Sequence, residues 1–221
     1  SDSGGSGDIA LVLDDEGYDV TTVLDEFSNG TTPTLTEDLS EYDAVFWQAS
    51  GNSSGDQHTN SAMFSNLESY VQAGGRVFVT GYDSVASPSD PNLISFLGGG
   101  TSLDTPGAPG ETANDANSLT TGVVDIRGVT PTGGYGDTDE LYDLGSDTVG
   151  VASSGSSSRT GFQWTLRTLG DGEIAYISNG KSGTSGSHSS WTNTSLDGNG
   201  AYNAALRNFA FNASGVSTSV S

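Results

Sequence analysis

The run Gly51-Asn52-Ser53-Ser54-Gly55 matches the G-x-S-x-G pattern, in which a sharp turn after a strand presents a serine nucleophile. His58 follows closely enough to act as its base. Asp83, just past the apolar run Arg76–Gly81, lies where open α/β sheets place ligand-facing acids, although an acid there is more often a turn or helix cap than a catalyst. Ser53, His58 and Asp83 are therefore the candidate catalytic residues of a hydrolase. With 32 Gly and 34 Ser in the chain, about one such match arises by chance, so the run also reads as a polar loop.

A second kind of chemistry is cation binding. Asn193, Ser195 and Asp197 occupy positions 1, 3 and 5 of a calcium-loop pattern with Gly198 at position 6. Ala204 stands at the twelfth position, where that loop needs a bidentate Glu. Asp137, Asp139 and Asp143 in "GDTDELYD" make another oxygen-rich cluster. Asn193, Ser195, Asp197, Asp137 and Asp139 are thus candidate ligands of a structural calcium, and no other cofactor is expected. The two histidines, His58 and His188, lie in Ser- and Gly-rich stretches and read as exposed loop residues. Trp191, in a polar stretch, is a candidate sugar contact, whereas Trp47 reads as core. Sequons at Asn29, Asn52, Asn193 and Asn212 are glycan sites if the protein is exported.

The elements that must position these residues follow from apolar periodicity. Ile9–Asp14 reads either as a strand ending in acids or as a helix. In the helical reading Asp8 is the N-cap, Gly17 sits at C′ and Tyr18 packs back onto the last turn. Tyr18–Leu24 is β-branched and predicts a strand. Asp43–Ala49 and Arg76–Gly81 predict buried strands. Between them Met63, Leu67, Tyr70 and Val71 repeat at helical spacing before a Gly74-Gly75 stop. A short helix around "PNLISF", strands at "TVGVAS", "TGFQWTLRTL" and "EIAYIS", and a terminal helix at "AYNAALRNFAFNAS" complete the pattern. The strand–helix–strand–helix order through residue 97 predicts parallel pairing with helices on the sheet faces.

Composition bounds the setting. There are 28 Asp and Glu against 6 Lys and Arg, a net charge of −22 on 221 residues. Such a surface repels itself at ordinary ionic strength. In molar salt the screening length falls to about 3 Å and the repulsion fades. The acids are spread along the chain, which points to a halophile and, with the Ser- and Thr-rich surface, to an exported or cell-surface protein. Scattered arginines and a single lysine exclude a phosphate-binding surface, so no nucleic-acid partner is expected. No run is long and apolar enough to span a membrane. The chain has no cysteine, hence no disulfide, thiolate metal site or cysteine nucleophile.

A strand "DAVFWQASG", a helix ending "YVQAGG" and then directly "RVFVTGYD" resembles the class I glutamine amidotransferase-like superfamily, in particular its ThuA-like, secreted-protein branch. The later "DGEIAYISNG" with a terminal helix fits the same pattern. The resemblance covers residues 8–98 well and 147–213 loosely. It implies a three-layer, flavodoxin-like α/β fold with a mainly parallel sheet. In catalytic members the turn after the "RVFVTG"-type strand carries a cysteine; here it holds Gly81, Tyr82 and Asp83. Their His-Glu pair would fall at Asn179, Gly180 and Lys181. The resemblance thus implies a module without that chemistry.

The sequence therefore predicts a polar N-terminal segment over 1–7, one α/β domain over 8–213 with an irregular insertion at about 99–145, and a polar tail over 214–221. Its expected role is non-catalytic interaction or assembly, the alternatives being a hydrolase at the Gly51–His58 and Gly81–Asp83 loops or a calcium- or glycan-binding module. If Ile9–Asp14 is helical, the strand that the family places first must come from a protein partner or from the rest of a longer precursor. It would lie between Tyr18–Leu24 and Asp43–Ala49.

Overall fold

The computed structural model describes residues 6–23, 35, 37–49, 61–81, 85, 90–105, 109–131, 138–154, 161–178, 191, 194–196 and 200–214. Ile9–Asp14 is helical, within α1 (Ser6–Asp15). The deciding local signal is the glycine that stops it. Gly17 has φ +88°, a conformation costly for any residue with a Cβ. It lets Gly17 N–H reach Asp14 O at 2.9 Å and Tyr18 N–H reach Leu13 O at 3.1 Å, satisfying the last carbonyls of the helix. The helix starts at Ser6, so Asp8 lies within its first turn instead of preceding it.

A 3-10 turn at Leu39–Glu41 leads into β1 (Ala44–Gln48). Then come α2 (Ser61–Gln72), β2 (Arg76–Gly81) and α3 (Pro91–Phe96). Five strands follow: β3 (Thr101–Thr105), β4 (Pro109–Thr112), β5 (Thr138–Tyr142), β6 (Thr148–Ser154) and β7 (Phe162–Leu169). The last elements are β8 (Gly172–Ser178) and α4 (Gly200–Ala213). Met63, Leu67, Tyr70 and Val71 are buried on α2, as their spacing predicts. The Gly74-Gly75 stop repeats the bonding of Gly17, with Gly74 at φ +105°.

The main sheet runs β1-β2-β8-β7-β5-β3, with β6 also on β7 and β4 on β6. Only β1–β2 and β2–β8 are parallel; the five other pairings are antiparallel. The expectation of a mainly parallel sheet is therefore corrected to a mixed α/β fold whose sheet is mostly antiparallel. The physical reason is visible between β7 and β8, where only Gly170 and Asp171 intervene. A two-residue link can join only antiparallel neighbours. The stretch expected as an irregular insertion with short strands such as Gly122–Val129 supplies β3, β4 and β5 instead, while Gly122–Val129 holds bends and a turn and no strand; every residue of β5 is buried.

Each face of the sheet carries its own core. On one face α1 and α4 pack with Phe78, Trp164, Ala175 and Ile177. On the other, α2 and α3 pack with Val77, Val79, Ile174 and Tyr176. Asn208, fully buried on α4, accepts the Val124 N–H at 2.8 Å and donates to Leu119 O and Val124 O, tying the 117–124 loop to the helix. Arg167 of β7 bonds Asp147 Oδ2 at 2.9 Å and the carbonyls of Ser95 and Phe96, holding the end of α3.

Candidate functional site: the outer edge of β1

β1 ends the sheet. Its sequence, Ala-Val-Phe-Trp-Gln, has the apolar run of an interior strand, yet all five residues are only half-buried. β2 beside it, Arg-Val-Phe-Val-Thr-Gly, is buried from Val77 to Gly81. The register aligns Val45 with Val77, Phe46 with Phe78 and Trp47 with Val79. Side chains of β1 thus follow β2 to both faces. The Phe46 ring lies 5.6 Å from Phe78 and 6.1 Å from Phe209 of α4, and Trp47 lies 6.0 Å from Phe64 of α2.

The backbone direction follows from one bond. Ala49 N–H donates to Thr80 O at 2.7 Å, so Ala49 faces β2. Successive residues of an extended strand turn their amide groups to opposite edges. Val45 and Trp47 therefore face β2 with Ala49, and Ala44, Phe46 and Gln48 present theirs outward. No described strand pairs with that outer edge. The Gln48 side chain adds to the pattern, its buried Oε1 having no hydrogen-bond partner among the described residues.

A groove of about 460 Å³ runs along this edge. One wall is β1; the other is Tyr18–Val23 with Ile9 and Leu13 of α1. Tyr18–Val23, expected within a strand, has no regular structure. Its β-branched residues favour an extended chain, and no described strand pairs with it. Met63 and Leu67 of α2 line the groove from the other face. Its described lining includes Asp19, Glu37, Glu41 and Asp43 and no Lys or Arg. Burial raises the Tyr18 hydroxyl above its usual range against the hydrogen bond to Ser214, which lowers it. Tyr70, whose hydroxyl donates to Tyr42 O at 3.0 Å, is likewise raised by burial.

The residues singled out by sequence fall elsewhere. Ser53, His58, Asp83, Asn193, Asp197, Asp137 and His188 lie outside the described residues, as do the sequons at Asn29 and Asn52. Ser195 is exposed, and its carbonyl accepts Gly200 N–H at the start of α4. Asp139 is 2% exposed inside β5, its Oδ2 accepting Val85 N–H at 3.1 Å, which makes it a structural acceptor within the sheet. Among the described residues no three His, Asp or Glu side chains converge as a metal site would require. Trp191 is not an exposed sugar platform: it is 3% exposed, its ring 5.9 Å from Phe78 and 6.0 Å from Tyr202. Asn212 donates Nδ2 to Thr121 O at 2.9 Å and to Asn208 O at 2.8 Å, bonds that a glycan on that nitrogen would displace.

Sequence reading took Asp43–Ala49 as a buried strand and, if Ile9–Asp14 is helical, left a strand missing beside it, but it did not single out Phe46 and Gln48 as edge residues. The signal for the gap is the helical stop at Gly17-Tyr18, because a helical Ile9–Asp14 removes one neighbour that an apolar β1 could have had; which residues of β1 face outward follows only from the register.

No protein-family model matches the chain. No curated protein matches it either. Among solved structures, a β-galactosidase from Bacillus circulans sp. alkalophilus is similar at a TM-score of 0.43 and 18% identity, over 67% of this chain and 22% of that one. A cold-adapted β-galactosidase from Rahnella sp. R3 gives 0.43 and 15%, over 80% and 24%. The mmIFT52 N-terminal domain gives 0.40 and 15%, over 64% and 67%. The chain thus spans about a quarter or less of either β-galactosidase.

Proposed function

We propose that this chain is a non-catalytic, amidotransferase-like module of an exported or cell-surface protein from a halophile, serving interaction or assembly by accepting an extended strand along β1. The observation that carries the reading is the outer edge of β1, apolar on both faces and bordered by a groove. Two features support a flavodoxin-like arrangement for the β1-β2-β8 half: its parallel pairing, and the helices on both of its faces. The net charge of −22 supports the saline setting.

The test is binding of the free peptide acetyl-Lys-Lys-Val-Val-Val-Ile-Val-amide to the purified chain in 2 M KCl. Saturable binding that competes with 1,8-anilinonaphthalene sulfonate in the groove is the expected result. Absence of binding together with ester or amide hydrolysis that Ser53→Ala abolishes would replace this reading with the hydrolase.

A further inference from the structure

We infer that residues 6–23, α1 with the segment Tyr18–Val23, form a salt-dependent wall of the groove, docked on the sheet in concentrated salt and released at low ionic strength. The device operates whatever occupies the groove and does not rest on strand acceptance.

The attachment of α1 is thin. A ten-residue helix is too short to hold itself together in water, so α1 keeps its form by docking. Among its described side chains, Ile9, Val12 and Leu13 are buried, whereas α2 buries five. Leu11, between them, is 58% exposed. Tyr18 and Val20 pack against the same core but are only partly buried, and no described strand pairs with Tyr18–Val23.

Charge works against the docked state. Asp14 and Asp15 occupy the last turn of α1, Glu16 follows, and Asp19 lies just past the Gly17 stop; all four are exposed. The C-terminal end of a helix carries the negative pole of its dipole, where carboxylates are unfavourable. α2, α3 and α4 have no acid in their last turns, although the chain has 28 Asp and Glu. Among the described helices α1 is therefore the one built against its own dipole. Docking also sets Asp19 in the same groove as Glu37, Glu41 and Asp43, so the two walls repel each other.

The opposing attraction is small. Arg207 of α4 places Nε 2.8 Å from Glu16 Oε1, the ion pair that joins α1 to the rest of the fold among the described residues. Its N–H is not aligned as a hydrogen bond, and both side chains are partly exposed. Such a pair contributes little. Tyr18, hydrogen-bonded to Ser214, is a second polar tie. The screening length is about 10 Å at 0.1 M salt and about 3 Å at 1 M. Screening weakens one misaligned attraction and a larger set of repulsions, and leaves the apolar contacts of Ile9, Val12 and Leu13 in place. Salt therefore docks the wall.

The test is amide exchange of the 221-residue chain from 3 M KCl down to the lowest concentration at which α2 stays protected. Protection at Val12, Leu13 and Asp14 is read against Leu67 and Val71 of α2. Lowering the salt is expected to cost α1 about tenfold in protection relative to α2. The combined variant Asp14→Asn, Asp15→Asn, Asp19→Asn should abolish most of that loss. Arg207→Met, which keeps the apolar stem, should deepen it about threefold at the low-salt end and change nothing in 3 M KCl. Parallel loss of protection in α1 and α2 would mean that salt acts on the whole fold, and would overturn the inference. So would a triple variant that responds to salt as the unchanged chain does. An Arg207→Met effect of equal size at both salt levels would mark Arg207 as a packing residue and overturn it as well. Peptide binding in 2 M KCl, where the wall is docked, tests strand acceptance alone.

Discussion

Two of the outer strands of the sheet, β1 and β3, differ in almost every property that governs an edge. β3 reads Thr-Ser-Leu-Asp-Thr: short, polar and carrying an acid, with Leu103 37% exposed. Such a strand discourages another chain from pairing with it. β1 reads Ala-Val-Phe-Trp-Gln, has no charge, and turns three residues' amide groups toward a groove. An exposed apolar edge is an aggregation hazard, so its presence in so acidic and hydrophilic a chain is informative. β3 has the features of a protected boundary, and β1 those of an interior strand with no described neighbour on its outer side.

The contrast between β1 and β2 gives the largest expected effect. Phe78→Ala, in the buried strand, should cost about 3–5 kcal/mol. Phe46→Ala, one strand outward in the same register, should cost roughly half that, because its ring is only half-buried. Chemical denaturation of the two variants checks this, and equal costs would mean that β1 is as enclosed as β2.

Salt provides the next test. The melting temperature should rise steeply between 0.1 and 3 M KCl as screening removes repulsion among acids across the surface. Part of that repulsion lies among Asp19, Glu37, Glu41 and Asp43 beside β1. Replacing these four by Asn or Gln should therefore flatten the salt dependence more than replacing four acids near β3. A melting temperature that does not respond to salt would contradict the halophile reading.

Away from the edge, Asn208→Ala should cost about 2–3 kcal/mol, because it strands a buried N–H and two carbonyls of the 117–124 loop. Groove binding should be unaffected, which separates general stability from the edge. The smallest effect concerns Asp147. Burial opposes its charge, but the hydrogen bonds and charge of Arg167 and the bond from Thr148 prevail and hold its carboxyl below the usual range. A depressed folded value means that the stabilisation is present above the ordinary carboxylate range, near pH 4, and is lost as pH falls through the folded value. At this partly exposed pair the loss is less than about 1 kcal/mol. Asp147→Asn should remove that part of the acid dependence, read from urea midpoints between pH 5 and 2.

Much of the fold was legible because its signals are local. Met63, Leu67, Tyr70 and Val71 repeat at helical spacing, and Gly74-Gly75 stops the helix in the same way as Gly17-Tyr18. The antiparallel half was missed, although the two-residue link Gly170-Asp171 between two apolar runs carried the hairpin signal. β5 could not be read at all: Thr-Asp-Glu-Leu-Tyr is polar by composition, and tertiary partners hold it in the interior. Asp139 accepts the Val85 N–H, and Glu140 accepts the Tyr142 hydroxyl. Trp191 misled for the related reason that a polar flank conceals a buried ring. The edge itself was legible only in part. Its apolar sequence announced a buried strand, and the lack of a neighbour is a property of the whole sheet.

The most direct measurement is residue-resolved amide exchange across β1 and β2 in the 221-residue chain. The account predicts slow exchange at Val45 and Trp47, which face β2, and fast exchange at Phe46 and Gln48, which face the groove, with protection throughout Val77–Thr80, where Phe78 and Thr80 face β1 and Val77 and Val79 face β8. Uniform slow exchange along Val45–Gln48 would show that the edge is already paired, and would contradict the claim that β1 awaits a strand.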